Sequence, residues 1–346
     1  AYWDKFEAYF LGGEYILAAK HIESSPQSSL MDSMKPPFVV DGRRYEKMAF
    51  FSTSADQITS QHPVLQDHPI SVSISELRSL DPDFDPGDCV VVRENYWHAW
   101  RSVPHQIDHW GDSGEATLSV VQDVTPGKPH PLFIAYNPDG ANTPAYPQLT
   151  NAVPDNPAYV AWESDAGAFR FYTGQFDFFG KQVQLLPPEE RLIYPLVDVN
   201  YHTEQDWGID ALHVGKTSGL GGVTIYYDGK AYPVQSPAGE GHVDFEYKVL
   251  GNGPVRAGVE IIASNVFPDM PDKKVTLRCL IYAGREESEV NVILPDGLEG
   301  ATVGIGLMNL EEGENFEAPG TLGVWGRQGD DIGEIGLAVT TKHKQL

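Results

Sequence analysis

The densest run of groups able to move a proton lies between Asn200 and Gly222. His202, Asp206, Asp210, His213 and Lys216 crowd together there. A neutral imidazole beside a carboxylate is a ready base, because the carboxylate fixes the tautomer and orients the ring. The two histidines also leave room for a divalent metal ion, although their spacing matches no tight zinc signature. Gly219, Gly221 and Gly222 mark a turn where backbone comes close to something. A second run, Trp162-Glu163-Ser164-Asp165 with Ala168-Phe169-Arg170-Phe171-Tyr172, reads as a strand with Ala168, Arg170 and Tyr172 on one face. Arg170 either clamps a substrate carboxylate through its planar fork or forms a salt bridge to Glu163 or Asp165. Tyr172 exchanges a proton if that cation lowers its pKa. A third run mixes Trp97 and Trp100 with Gln106, Asp108 and His109. Rings of this kind stack on sugar faces while polar tips hold hydroxyls, and the same mixture also suits a packed loop.

These residues need a scaffold, and the chain's patterning supplies strands. Pro69–Ile74, Thr117–Val120 and Asp244–Val249 alternate apolar and polar residues with period two. Further strand candidates are 132–136, 168–172, 223–227, 275–282, 289–294 and 333–339. Asp228-Gly229 and Pro295-Asp296-Gly297 are turn signals between them. The expectation is an all-β chain with antiparallel sheets. Glycines between 301 and 339 read as close sheet packing. Trp3, Phe6, Phe10 and Leu17 recur at roughly helical spacing, interrupted by Gly12-Gly13, which predicts a short helical N-terminal segment. Residues 1–60 read as a helical and loop arm and residues 61–346 as one large domain. The proline-rich stretch 137–157 is either an internal boundary or a long connection.

The balance of charge narrows the partners. Lys plus Arg total 24 and Asp plus Glu total 49, a formal net charge of -25. Such a field repels phosphate backbones and argues against nucleic acid. No apolar run reaches the length of a membrane span. Two cysteines do not make a disulfide scaffold, and Cys279 shares a strand face with Val275, Leu277 and Ile281, as a buried free thiol would. The chain opens Ala1-Tyr2-Trp3-Asp4 with neither Met nor a basic-then-apolar leader. That fits a mature periplasmic or secreted protein freed of its signal peptide, or a trimmed chain. P-loop, G-x-G-x-x-G, H-E-x-x-H and G-x-S-x-G signatures are absent from the sequence.

The same three runs carry a resemblance. Val103-Pro104-His105-Gln106-Ile107-Asp108 with Gly111-Asp112, then Trp162-Glu163-Ser164-Asp165 with Phe169-Arg170-Phe171-Tyr172, occur in order. Tyr201-His202, Gly208-Ile209-Asp210, His213-Val214-Gly215-Lys216-Thr217 and Gly219-Leu220-Gly221-Gly222 follow. From about residue 65 onward the chain resembles the DUF4861 family of bacterial carbohydrate-locus proteins. It departs from the family's pattern at Ser164-Asp165-Ala166, where Asn-Asp-Arg is usual, and at Thr173, where the Tyr-Gly-Pro form is lost.

The resemblance implies a large antiparallel β-sandwich of the galactose-mutarotase-like kind. It also implies a dehydratase acting on uronic-acid oligosaccharides such as those of ulvan, taking water from a non-reducing-end uronate to leave a 4,5-unsaturated sugar. That chemistry needs a cation at the carboxylate, a base for the C5 proton and an acid for the C4 oxygen. Arg170 and Lys216 are the candidate clamps, with Arg256 beside them. His202 or His109 is the candidate base, Tyr172 or Tyr201 the acid, and Asp210 the group orienting a histidine, with His213 in the same pocket. Trp162, Glu163, Arg256, Gln106, Trp97 and Trp100 are candidate substrate contacts. No organic cofactor is required, because the carboxylate itself is the electron sink. A lyase cleaving at C4, a glycoside hydrolase or epimerase, and a non-catalytic glycan-binding protein are the alternatives. The oligomeric state is not legible.

Overall fold

A computed structural model of the chain describes residues 9–11, 15–18, 37–53, 65–94, 100–109, 115–124, 130–137, 144–156, 159–182, 185–193, 200–236 and 242–341. The chain divides into two compact units, Ala1–Gln148 and Leu149–Leu346. Both are built of strands whose pairing is almost wholly antiparallel.

The first unit contains β1 (Tyr9–Leu11), β2 (Tyr15–Ala18), β3 (Phe38–Val40), β4 (Arg43–Tyr45), β5 (Lys47–Thr53), β6 (Leu65–Ser73), β7 (Cys89–Glu94), β8 (Trp100–Ser102), β9 (His105–His109), β10 (Ala116–Val124) and β11 (His130–Tyr136). An eight-stranded sheet runs β1-β2-β5-β11-β7-β8-β3-β4, and β6-β10-β9 forms a second sheet. A one-face core of Ile70, Val72, Leu118, Val120, Val91 and Ile134 joins them. Helix α1 (Ile74–Leu80) starts at a capping box: Ser73 accepts from the Glu76 backbone N–H, and the Glu76 carboxylate accepts from that of Ser73.

The N-terminal expectation is corrected here. Phe10 and Leu17 lie in strands, with Phe10 opposite Ile16 and Tyr9 opposite Leu17, while Trp3 and Phe6 lie outside the described residues. Strand β2 in turn pairs with β5. A lone helix of one or two turns gains little in water, whereas a sheet edge offers hydrogen-bond partners to every second residue added.

The second unit holds β12 (Thr150–Asn156), β13 (Tyr159–Ser164), β14 (Gly167–Tyr172), β15 (Gln175–Lys181), β16 (Gly208–Asp210), β17 (Leu220–Tyr227), β18 (Lys230–Pro233), β19 (Asp244–Gly251), β20 (Arg256–Ser264), β21 (Val275–Tyr282), β22 (Glu289–Ile293), β23 (Thr302–Leu307), β24 (Glu311–Ala318), β25 (Thr321–Arg327) and β26 (Glu334–Thr340), with a one-turn helix α2 (Gly329–Ile332). Its sheets are β12-β13-β14-β15-β16, β18-β17-β23, β19-β20-β21-β22 and β24-β25-β26. The described strands of the chain therefore fall into six sheets rather than one large sandwich. Asp228 and Gly229 both take positive φ in the β17–β18 turn, as a two-residue hairpin of this type demands.

The main core of the second unit lies between the β13–β15 surface and β20–β21. Trp162, Phe169, Phe171 and Phe176 meet Ala257, Val259, Ile261, Leu277, Cys279 and Ile281 there. Strict alternation sends every second residue of β13, β14 and β15 into this core and the rest to the opposite face of the same sheet. Cys89 and Cys279 are buried free thiols. Replacing Leu277, fully buried at the centre, by Ala is expected to cost about 2–5 kcal/mol, measurable as a lowered midpoint in urea unfolding.

Candidate active site

The face of the β12–β16 sheet turned away from the core carries charge. A two-residue turn, Thr173-Gly174, closes the β14–β15 hairpin with positive φ at both positions. This is the turn type whose twist matches paired strands, and it sets Tyr172 opposite Gln175. Two residues further along, Arg170 is therefore opposite Asp177. On β16, Asp210 stands opposite Phe179, which shares its face with Asp177. A side chain at Gly174 would meet the backbone of Val234 and Gln235.

These registers assemble a cluster. Both Nε and Nη2 of Arg170 donate to one oxygen of Asp177, at 3.1 and 2.5 Å. The other Asp177 oxygen accepts the Phe178 backbone N–H at 2.9 Å. The Arg170 guanidinium carbon is 5.1 Å from the Tyr172 ring centre, 5.1 Å from that of Phe179 and 5.0 Å from that of Tyr201. Three rings thus cage a cation whose hydrogen-bonding edge is held by a carboxylate. His202 Nδ1 lies 3.4 Å from an Asp210 oxygen, and its ring centre is 4.3 Å from that of Tyr201. The His202 side chain is 65% exposed, while Arg170 is 17% exposed and Asp210 is buried. The base candidate therefore faces solvent, with Asp210 buried beneath it.

Burial is the largest influence on the two carboxylates. It raises Asp177 to about 7, with Asp210 adding to the rise and Arg170 opposing it. Asp210 is raised by burial too, opposed by Arg170, the Leu212 N–H, His213 and His202. Two acids compete for one guanidinium, so the pair retains a proton that free aspartates would have lost. Burial likewise pushes Tyr172 up to about 12, against the pull of Arg170. The expected lowering of Tyr172 by its neighbouring cation is thus reversed, because burial, with Asp177 adding to it, outweighs the pull of Arg170.

A raised carboxylate makes stability depend on pH in a defined sense. The protonated form is favoured by folding, so this stabilisation is complete below the ordinary Asp pKa and is lost as pH rises through about 7. Asp177→Asn is expected to flatten the decline in melting temperature between about pH 4 and pH 7. An undiminished decline in calorimetric scans counts against the shared proton.

Beside the cluster, on the same face, sits a buried ion network. Lys181 Nζ donates to Glu163 at 2.5 Å and to the Arg191 carbonyl at 2.5 Å. The Glu163 carboxylate also accepts the Ile193 N–H at 2.8 Å. Asp165 accepts the Gly284 N–H, and Arg191 lies 3.7 Å from it. Leu186, Ile193, Tyr201 and Trp207 pack on Ala168 and Phe179, covering this end of the face.

The sequence-derived site residues divide accordingly. Arg170, Tyr172, Tyr201, His202 and Asp210 come together, and His213 acts electrostatically on Asp210. Lys216 is exposed, in a turn whose Gly215 and Thr217 carbonyls are held by Gln175. Arg256 lies on the other side of the core: its β20 neighbours Ala257 and Val259 point into the core and Arg256 away from it. It shares no pocket with Arg170. Trp162 is wholly buried, donating to Ser288 Oγ at 2.8 Å, and Glu163 is spent on Lys181. Neither is exposed to a substrate. The salt bridge weighed for Arg170 does form, but to Asp177 instead of Glu163 or Asp165. In the first unit, Trp100 is buried against Phe133, Gln106 donates to Asp108, and His109 is exposed at the end of β9. Trp97 lies outside the described residues.

The close approach expected at Gly219 is to the chain's own strand, since a methyl there would collide with the Phe176 carbonyl. Among the described residues, no group of three or more His, Cys, Asp or Glu is placed to hold a metal ion. Among them, too, no helix is long and apolar enough to cross a membrane.

Comparison with solved structures finds a glycosyl hydrolase family 38 protein of Enterococcus faecalis, 6% identical, with a TM-score of 0.34. It also finds an alpha-mannosidase of Enterococcus faecalis V583, 9% identical, with a TM-score of 0.31. The alignments cover 80% and 85% of this chain but 39% of each of those chains, so this chain spans well under half their length. No protein with a curated description matches the chain. Residues 60–346 match the domain of unknown function DUF4861, and the chain belongs to that family.

Proposed function

We propose that the protein is a carbohydrate-active enzyme that removes water from a uronate at the non-reducing end of an oligosaccharide. The observation that supports this most is the exposed His202 seated on buried Asp210, beside the Tyr201 ring and the caged Arg170. In this reading His202 takes the C5 proton, and the electron pair of that C–H bond becomes the C4–C5 double bond. The C4–O bond breaks, and Tyr201 protonates the departing hydroxyl, which leaves as water. Asp210 holds His202 and stabilises the imidazolium that forms. Arg170 supplies positive potential to the carboxylate, which carries negative charge as the proton leaves. Tyr172, held protonated, serves as a hydrogen-bond donor only. Lys216, on its exposed turn, is a second cation for the carboxylate.

The reading carries with it a galactose-mutarotase-like sandwich for the second unit, with the charged sheet face as its working surface. It also carries an acidic oligosaccharide as partner, no required cofactor, and a periplasmic or secreted location. Incubation with saturated uronate oligosaccharides followed by mass spectrometry tests it. Loss of one water without chain cleavage, with a new ultraviolet band of a conjugated enoate, supports the dehydratase. Cleavage with an unsaturated end makes it a lyase, cleavage with gain of water a hydrolase, and saturable binding without turnover a glycan-binding protein. Arg170→Lys is expected to lower kcat/KM at least about tenfold, because an ammonium keeps the charge but cannot reproduce the two-point grip on Asp177 that fixes the cation in place. Unchanged turnover with lowered stability reduces Arg170 to a structural ion pair.

A further inference from the structure

Three exposed aromatic side chains of the second unit lie over glycines of neighbouring strands: Tyr226 over Gly304, Phe316 over Gly323 and Trp325 over Gly336. A methyl at Gly323 would collide with the tip of the Phe316 ring, and one at Gly336 would come within 2.8 Å of the Trp325 indole. The missing side chains let the rings lie down on the sheet. Such a pair stabilises a sheet by itself, and Tyr226 needs no other account. Phe316 and Trp325 differ because the register puts both on one face. Phe316 is opposite Gly323, and Trp325 stands between Glu314 and Gly336. The other face of these strands sends Val324 and Leu337 into a core with Leu212, Met308 and Leu310. The two rings are 48% and 54% exposed. Diagonal neighbours of this kind lie about 7–8 Å apart, the scale of a disaccharide.

We propose that this face of β24-β25-β26 binds a chain of neutral pyranose sugars. The C–H faces of the sugars stack on Phe316 and Trp325, while Glu314 beside Trp325 and, in the next row, Glu334 and Arg327, which also pairs with Asp330, hydrogen-bond their hydroxyls. Charge selects the ligand. Strand β24 carries Glu311, Glu312, Glu314 and Glu317, all exposed. The chain as a whole is at -25. Carboxylates accept hydrogen bonds from hydroxyls but repel uronate and sulfate groups, so an acidic polysaccharide is disfavoured here. Two rings set among charges form a strip narrower than a stable protein interface needs. The inference does not depend on the reaction assigned to the Arg170 cluster.

Isothermal titration of the full chain with neutral β-1,4-linked gluco-, manno- and xylo-oligosaccharides tests it, with a polyuronate as comparison. Saturable binding to at least one neutral chain is expected. Trp325→Ala should weaken it by about tenfold or more, Trp325→Phe should retain most of it, and His202→Ala should retain all of it. If Trp325→Ala fails to fold, oxidation of Trp325 by N-bromosuccinimide in the unaltered chain, mapped by peptide mass spectrometry, gives the same answer. The neutral ligand should slow that oxidation. Absence of both binding and protection overturns the proposal, as does tighter binding of the polyuronate at this face. Undiminished binding by a folded Trp325→Ala variant overturns it too.

Discussion

Replacing His202 by Ala is expected to cut formation of the unsaturated uronate by a factor of about 10²–10⁴, the usual worth of a positioned general base. The protein itself should barely notice. The side chain is 65% exposed, and substitutions at such positions usually change stability by about 0.5 kcal/mol or less. Loss of product at an unchanged melting temperature is therefore the signature. Asp210→Asn adds a second readout. An amide cannot stabilise the imidazolium, so the variant should lose kcat with little change in KM. Full activity in purified His202→Ala, measured by the enoate absorbance, removes this residue from the chemistry.

The largest effect on stability is expected at the buried pair beside the cluster. Glu163 and Lys181 are both 0% exposed. Burial lowers the Lys181 pKa, and the Glu163 carboxylate opposes that fall. Glu163→Ala removes the carboxylate, leaving the buried ammonium with the Arg191 carbonyl but without its ion-pair partner, and the Ile193 N–H without its acceptor. The expected cost is about 3–5 kcal/mol, a large share of the roughly 5–15 kcal/mol that holds a typical domain folded. The double variant Glu163→Leu with Lys181→Met should recover most of it, since no charge is then stranded. Denaturant unfolding of the three chains decides the matter: a loss under about 1 kcal/mol in Glu163→Ala shows the pair to be relaxed by water.

Much of the cluster could be read before any coordinates. Arg170 and Tyr172 were expected on one strand face because side chains alternate along an extended chain, and they are on one face. Asp177 was missed, although its signal is present. Thr173-Gly174 is a two-residue turn, and counting outward from Tyr172 and Gln175 leads to Arg170 opposite Asp177. The run Gln175-Phe176-Asp177-Phe178 alternates as the preceding strand does. Trp162 was misplaced for a related reason. An indole beside Glu163 looks like a sugar contact until alternation assigns it to the core side.

Local rules explain what the sequence by itself determined: strand character, the shared face of Arg170 and Tyr172, the buried thiol of Cys279, and membership of a family legible in its motifs. Alternation, turn chemistry and caps act over a few residues, so they leave their mark in the order of the residues. Only the tertiary structure decided which charges meet. Glu163 takes Lys181, two strands away, rather than Arg170, and Arg256 ends on the far side of a core that separates two sheets. Those outcomes depend on strands distant in sequence being laid side by side. They depend as well on burial, which raises Asp177, Asp210 and Tyr172 together. The N-terminal segment shows the same limit from the other direction. Its helical spacing gave way because β5 offered an edge to pair with, and no stretch of sequence near residue 10 records that an edge will be there.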